Sequence, residues 1–286
     1  PTKISRVTMI IVIAGCVLAL IMFVLIVCKN KQTAQMKLSE ICHRVDIESP
    51  DNDVPIHPSM LNISFAQLLE VRDDAERLFK EKGEDFDTKT LRDVNKALII
   101  PVCQQTKTSY ALSKNPNGLK MQVFVSHSWD EPFGAFVDSI ETAFQSSLVK
   151  PNLWICAFGL LQGSPEEIKG QLGLDETPLD QSPFVQALKK ADRYLVVRNN
   201  KTDLCERVWC ICEIMFAKKF ALIPVKTQIV GPNTFEHSAV SCTDAKAFDI
   251  NDKAKILKEL LRDHDYSEID EYITKFRSFS LGQMIK

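Results

Sequence analysis

The run VWCICEIMFA at residues 208–217 contains one charged residue, Glu213. Ten residues without glycine or proline favour a helix over a strand, and Lys218 and Lys219 follow the run where the helix dipole favours cations. A helix that is apolar on nearly every side must be buried, so the rest of the chain has to pack around it. A carboxylate in such a helix is costly unless it is paired, protonated or turned toward a polar cleft.

Glu213 has two interpretations. Trp209 lies one turn before it and Cys210 three residues before it, on the same helical face. An apolar frame of this kind shifts the pKa of a carboxyl group and is typical of a functional site. The alternative is a structural glutamate paired with an arginine or lysine elsewhere in the fold, and the sequence does not choose between the two.

A second apolar run, at residues 7–28, contains no charged residue. At helical rise its 22 residues span about 33 Å, which is enough to cross a bilayer. The run is too long for the core of a signal peptide, and lysines or arginines flank it on both sides. We therefore predict one membrane-spanning helix over residues 7–28.

The remainder divides into three predicted segments. Residues 29–63 are polar and contain three prolines, which indicates a flexible stalk. Residues 64–114 form a helical leader, which begins at the capping-box pattern of Ser64 and Gln67. Its second helix is expected to end before Pro101. The main domain is predicted to occupy residues 115–286.

Charge and cysteine content limit the compartment and the partners. The chain has 35 basic and 37 acidic residues without a basic stripe, so nucleic-acid binding is not expected. Nine cysteines without a repeating spacing argue against a disulfide framework and for a reducing, cytosolic compartment. Cys205, Cys210 and Cys212 with His127 match no zinc-ligand spacing, so we predict buried thiols and no metal site.

From residue 115 the pattern alternates between strands and helices, which predicts a parallel sheet covered on both faces, an α/β fold. A short fifth strand is expected around residues 239–242, and two helices, over residues 251–262 and 267–279, close the chain. Short apolar runs place the first four strands at residues 121–126, 153–158, 194–197 and 220–225.

The ligand crevice of such a sheet lies beyond the carboxyl ends of its strands. Ser126, His127 and Trp129 end or follow the first predicted strand, and the helix of Glu213 begins after the third. These residues therefore converge on one predicted crevice. For His127 the alternative is a strand-end histidine bonded to backbone, and for Trp129 and Trp209 it is a place in the core.

Two motifs carry a resemblance to a known family. The sequence VFVSHSW at residues 123–129 resembles the first-strand box of Toll/interleukin-1 receptor (TIR) domains, in the Ser-His-x-Trp form of TIR-like proteins from algae and protists. The sequence WCICEI at residues 209–214 resembles the Trp-Cys-x-x-Glu-Leu motif on the third helix of plant-type TIR domains. The resemblance covers about residues 119–225 and implies a flavodoxin-like, doubly wound parallel sheet.

The resemblance implies two kinds of function. Some TIR domains hydrolyse NAD at the nicotinamide–ribose bond and need the motif glutamate, whose position Glu213 occupies. NAD is then the substrate, and no separate cofactor is implied. Others are non-enzymatic signalling modules that act by self-association with TIR-like domains. A nucleoside-deoxyribosyltransferase-like enzyme is a third alternative, because it shares the layout and also uses a carboxylate.

The resemblance also implies a binding site. Its predicted residues are Ser126, His127, Trp129, Trp209 and Cys210. The resemblance implies other TIR-like domains as partners, and the predicted helix at residues 7–28 adds the membrane. The second box of the family, a short loop after the second strand, is not recognisable in the longer loop at residues 159–181. The substrate and the mode of assembly are therefore left open.

Overall fold

A computed structural model describes residues 55–172 and 177–279, together with Met22. The described strands form one four-stranded sheet in the order β2-β1-β3-β4, and every pair of neighbours is parallel. The predicted α/β fold with a parallel sheet is confirmed. The strands are Val123–Ser126 (β1), Leu153–Trp154 (β2), Arg193–Val197 (β3) and Thr227–Val230 (β4).

Helices supply the crossovers that parallel strands require. Long helices follow β1 and β3, and two more close the described chain. The α-helices are Phe65–Glu81 (α1), Leu91–Val94 (α2), Ile100–Thr106 (α3), Tyr110–Lys114 (α4), Phe133–Phe144 (α5), Cys156–Gly159 (α6), Pro165–Leu172 (α7), Pro183–Lys189 (α8), Val208–Lys219 (α9), Ile250–Leu260 (α10) and Tyr266–Ser278 (α11).

The sheet is covered on both faces. Successive side chains of a strand point to opposite faces, and on one face Phe124, Tyr194 and Val196 share a core with α8, α9 and α10. On the other face α5 packs against β3 and β4, and α1 packs on α5. Gln228 of β4 donates to the Ala143 carbonyl of α5 at 3.3 Å. Helix α9, which is apolar on nearly every side, lies inside one of the two covering layers. Its burial follows from that position.

The leader begins earlier than predicted. The N–H of Ile63 donates to the Leu153 carbonyl at 3.1 Å, and the N–H of Leu153 donates back at 2.8 Å, which covers the open edge of β2. Ile63 is completely buried. The packed fold thus starts before Ser64 and includes the last part of the predicted stalk, whose residues 29–54 lie outside the described residues.

The predicted capping box at the start of α1 is confirmed. The N–H of Gln67 donates to the Ser64 hydroxyl at 3.1 Å, and the Gln67 side chain accepts from the N–H of Ser64 at 2.8 Å. Ser64→Ala is expected to lower the free energy of unfolding by about 1 kcal/mol, because it leaves a helix N–H without its partner. Urea denaturation measures the loss. Ser146→Ala, at an exposed turn position, is the control, and an equal loss in the two variants would contradict the prediction.

The fourth strand was predicted wrongly at residues 220–225. The run begins directly after α9 ends, and the chain turns at Ala221, whose φ is 56°. Val225, the last residue of the run, is exposed. Pro224 has no N–H to donate to a sheet ladder. The strand that pairs with β3 is Thr227–Val230, which contains no proline.

Two other strand predictions were also wrong. The run at residues 153–158 is a strand only as far as Trp154, and α6 follows, since a short buried apolar run fits either structure. No strand forms at residues 239–242 in the described chain, because the N–H of Cys242 donates to the Asp270 carboxylate at 2.7 Å instead of to a neighbouring strand.

The second leader helix does not end before Pro101. α2 continues through the π-helical turn Asn95–Ile99 into α3, and the wider turn accommodates a proline that has no N–H to donate. Across residues 55–172 and 177–279, no helix combines the length and the apolar character needed to cross a bilayer. The predicted span at residues 7–28 lies, apart from Met22, outside the described residues.

Candidate functional site

A cleft of about 290 Å³ lies at the carboxyl edge of the sheet. Trp129, which follows β1, and Cys156, which follows β2, contribute to its wall. Arg207 and Trp209, at the start of α9 after β3, contribute another part. The cleft therefore lies where an open α/β sheet is expected to bind ligands.

The leader supplies another wall of this cleft. Arg92, Asn95 and Lys96 all line it. Arg92 bonds both carboxylate oxygens of Asp130, at 2.9 and 3.3 Å, and its guanidinium lies over the Trp129 ring at 6.0 Å. The leader is thus part of the site, which the sequence analysis did not anticipate.

The two tryptophans are half-buried, so each belongs both to the core and to the cleft wall. Trp209 stacks on Phe184 with ring centroids 4.4 Å apart, and its Nε1 donates to Asp252 at 3.2 Å. These contacts hold the Trp209 ring in place. Trp129 carries Arg92 on its ring, so a planar group and an anion could both bind at this end of the cleft.

Glu213 lies one turn after Trp209 on α9 and does not belong to the described lining of the cleft. Its side chain is buried, and the hydroxyl of Ser126 donates to it. Ser126 reaches Glu213 because it shares a sheet face with Phe124, the face that α9 covers. Among the described residues no lysine or arginine forms an ion pair with Glu213, so its observed partner is a hydroxyl.

Burial raises the pKa of Glu213 to about 7, although the Ser126 hydrogen bond and the nearby His127 act in the opposite direction. A carboxyl group with this pKa changes its charge near neutral pH. That property suits a residue that has to respond to a bound ligand.

The predicted site residues form two groups. The Cys210 thiol donates to the His127 carbonyl at 3.6 Å, which joins α9 to the end of β1 beside the Ser126–Glu213 bond. None of these four residues belongs to the described lining of the cleft. Trp129 and Trp209 lie in its wall, and the Trp129 ring is 6.4 Å from the His127 ring.

A contact that the sequence analysis missed joins His127 to Cys156 and Glu131. The Nε2 atom of His127 lies 3.5 Å from the Cys156 sulfur, and its Nδ1 lies 3.6 Å from Glu131 Oε1 and 3.3 Å from the Ser128 carbonyl. Burial lowers the pKa of His127, but Cys156 and Glu131 together raise it above its usual value. One sequence signal was present: Glu131 lies four residues after His127.

The other described cysteines are in different surroundings. These five, like Cys156, are free and buried, and burial raises the pKa of Cys205 to about 12 and the pKa values of Cys210 and Cys212 well above the usual value of a thiol. Within the described ranges, no three His, Cys, Asp or Glu side chains lie close enough together to hold a metal ion.

Comparison of the chain with family models, with curated proteins and with solved structures finds no match. The class of protein is therefore defined by the fold and the cleft: an α/β protein whose four-stranded parallel sheet carries a cleft at its carboxyl edge. Its activity has to be inferred from the residues in and behind that cleft.

Proposed function

We propose that this chain is a TIR-like domain of flavodoxin-like fold that hydrolyses NAD at the nicotinamide–ribose bond. In this proposal the helix at residues 7–28 anchors it to a membrane and the domain faces the cytosol. The observation that carries the proposal is Glu213, a buried carboxyl group whose pKa burial raises to about 7, one helical turn after Trp209 in the wall of the cleft. The strand order β2-β1-β3-β4 supports the flavodoxin-like part.

The cleft has the components that a dinucleotide needs. Trp129 offers an aromatic face, and Arg92, Lys96 and Arg207 bring positive charge to the lining for the phosphates. Its volume of about 290 Å³ is at the lower end of the range for ligand pockets. The cleft would therefore enclose the nicotinamide ribose and leave the rest of NAD at the rim.

Glu213 would supply the chemistry. Loss of nicotinamide develops oxocarbenium character on the ribose, and a nearby carboxylate stabilises this charge more in the transition state than in the substrate. In the free protein the carboxylate is bonded to Ser126. Catalytic groups often reach their reacting geometry only when substrate is bound. The proposal therefore requires Glu213 to turn from Ser126 toward the cleft when NAD binds.

A second candidate is a non-enzymatic TIR-like module that signals by self-association. The position of Glu213 favours it, because a carboxyl group that is bonded to Ser126 and absent from the described cleft lining also fits a structural role. In this case the cleft residues would contribute to packing or assembly, and NAD would not be cleaved.

Incubation of the purified chain with NAD is expected to release free nicotinamide in proportion to protein concentration, as measured by liquid chromatography. Arg207→Ala is expected to raise KM about tenfold, because a cation that binds phosphate is lost from the cleft. Arg262→Ala, at an exposed arginine outside the cleft, is the control and is expected to leave KM unchanged. No nicotinamide release, together with concentration-dependent self-association, would favour the second candidate.

A further inference from the structure

We infer that Cys156, His127 and Glu131 form a nucleophilic thiol centre that cleaves esters or thioesters with an apolar acyl group. This activity is separate from NAD hydrolysis and does not involve Glu213 as a reacting group. The three side chains come from the ends of neighbouring strands β1 and β2 and from the loop after β1. Their contacts supply a nucleophile, a base and a carboxyl group beside the base, whose Nδ1 atom also lies 3.3 Å from the Ser128 carbonyl.

The distances place the His127 ring between Cys156 and Glu131. The Cys156 sulfur lies 3.5 Å from His127 Nε2, within the limit for a hydrogen bond to sulfur. On the other side of the ring, Nδ1 lies 3.6 Å from Glu131 Oε1. Burial raises the pKa of the Glu131 carboxyl group, and the neighbouring His127 acts against that rise. Glu131 Oε1 is buried, has no hydrogen-bond partner among the described residues and lies on the Nδ1 side of the imidazole ring. Glu131 is therefore placed to stabilise a protonated imidazole.

The three groups differ in their access to the cleft. All three are buried, but Cys156 lines the cleft, whereas His127 and Glu131 are not part of the described lining. A substrate in the cleft can therefore touch the thiol while the base and its partner stay shielded from water. None of the other five described cysteines lines the cleft. This location distinguishes Cys156 from thiols that serve only the core.

The cleft lining indicates the class of substrate. Leu160, Ile168 and Phe184 surround the approach to Cys156 with apolar surface. An aliphatic or aromatic acyl group would bury apolar area there, which favours binding. We therefore place the acyl group against these side chains and its carbonyl carbon at the Cys156 sulfur.

The reaction balances with water as the second reactant. His127 Nε2 accepts the thiol proton, and the sulfur attacks the carbonyl carbon and forms a thioester with the protein. The bond to the leaving oxygen or sulfur breaks, and His127 returns its proton to the alcohol or thiol that departs. A water molecule then gives a proton to His127 and its hydroxyl to the acyl carbon. The bond between the acyl carbon and the Cys156 sulfur breaks, the carboxylic acid leaves, and His127 returns its proton to the sulfur, which restores the thiol.

The test uses the full chain in detergent with p-nitrophenyl butyrate as the probe. We expect release of p-nitrophenol and a butyryl adduct that mass spectrometry assigns to Cys156. Cys156→Ala is expected to abolish both, and Cys242→Ala, which removes a buried thiol outside the cleft, is expected to change neither. An adduct on another residue, or equal hydrolysis by the Cys156→Ala chain, would overturn the inference.

The two supporting residues have separate expected effects. His127→Asn is expected to lower kcat by about 100-fold or more, as for loss of a general base. Glu131, as a positioning residue, is expected to affect kcat about tenfold when it is changed to Gln, with KM nearly unchanged. If His127→Asn does not fold, the adduct on the unmodified chain and the kcat of Glu131→Gln still test the proposed arrangement. Full kcat in a folded Glu131→Gln or His127→Asn chain would overturn the proposed arrangement.

Discussion

Glu213→Gln is expected to lower kcat/KM for NAD cleavage by about 100-fold or more, a loss of about 2.7 kcal/mol of transition-state stabilisation. Glutamine keeps the size of the side chain and can still accept the Ser126 hydrogen bond, but it has no charge to stabilise the oxocarbenium ion. Nicotinamide release under steady-state conditions measures the loss. Cleavage at the unmodified rate in the variant would exclude Glu213 as the catalytic carboxylate.

The same variant is expected to change how stability depends on pH. Burial raises the pKa of Glu213 from 4.5 to about 7, so the folded chain binds this proton more tightly than the unfolded chain. The resulting stabilisation is fully present below pH 4.5 and is lost as the pH rises to about 7, a loss of about 3 kcal/mol. Glu213→Gln lacks this loss and is expected to be the more stable protein at pH 8.

Urea denaturation at pH 5 and pH 8 measures this difference. Glu70→Gln, at an exposed position of α1, is the control and is expected to follow the unmodified chain at both pH values. Parallel stability profiles for Glu213→Gln and the unmodified chain would contradict the raised pKa. A loss of about 3 kcal/mol or more at both pH values would instead indicate that the substitution leaves a buried cation unpaired.

The ion pair between Asp203 and Arg277 gives the second large expected effect. Arg277 Nε donates to Asp203 Oδ2 at 2.8 Å, and the two side chains are only 3% and 5% exposed. Asp203→Asn is expected to lower the free energy of unfolding by about 3–5 kcal/mol, because it leaves the buried guanidinium without a counter-charge. Chemical denaturation measures the loss.

Two further variants test that explanation. The double variant Asp203→Asn with Arg277→Met is expected to recover part of the stability, because it also removes the unpaired charge. Glu271→Gln breaks the exposed pair with Lys275 and is expected to have little effect on stability, because water screens that pair. A cost for Asp203→Asn as small as that for Glu271→Gln would show that the buried pair is not important for stability.

Sequence patterns predicted several features of the fold correctly. The capping box of Ser64 follows from two residues three apart, and α9 follows from one uninterrupted apolar run. The approach of Ser126 to Glu213 follows from the convergence of parallel strands at one edge. Strand β4 was misplaced because apolar character alone did not show that Pro224 interrupts backbone pairing.

The missed parts of the site depend on tertiary structure. Arg92 reaches the cleft because the leader packs beside β1, and no sequence spacing encodes that contact. Cys156 was assigned to the interior of a longer strand, where its side chain would have been a core thiol. The end of β2 at Trp154 places Cys156 at the sheet edge, next to His127.

Part of the cleft wall belongs to the leader. Ligand binding in the cleft and the packing of the leader against the sheet are therefore thermodynamically linked. Arg92, Asn95 and Lys96 belong to a segment outside the sheet, yet they line the same cleft as Trp129. A ligand that contacts both sides holds the leader against the sheet. By reciprocity, any partner that pulls the leader away weakens that ligand by the same free energy. A partner that binds the leader would therefore change the affinity of the cleft for its ligand.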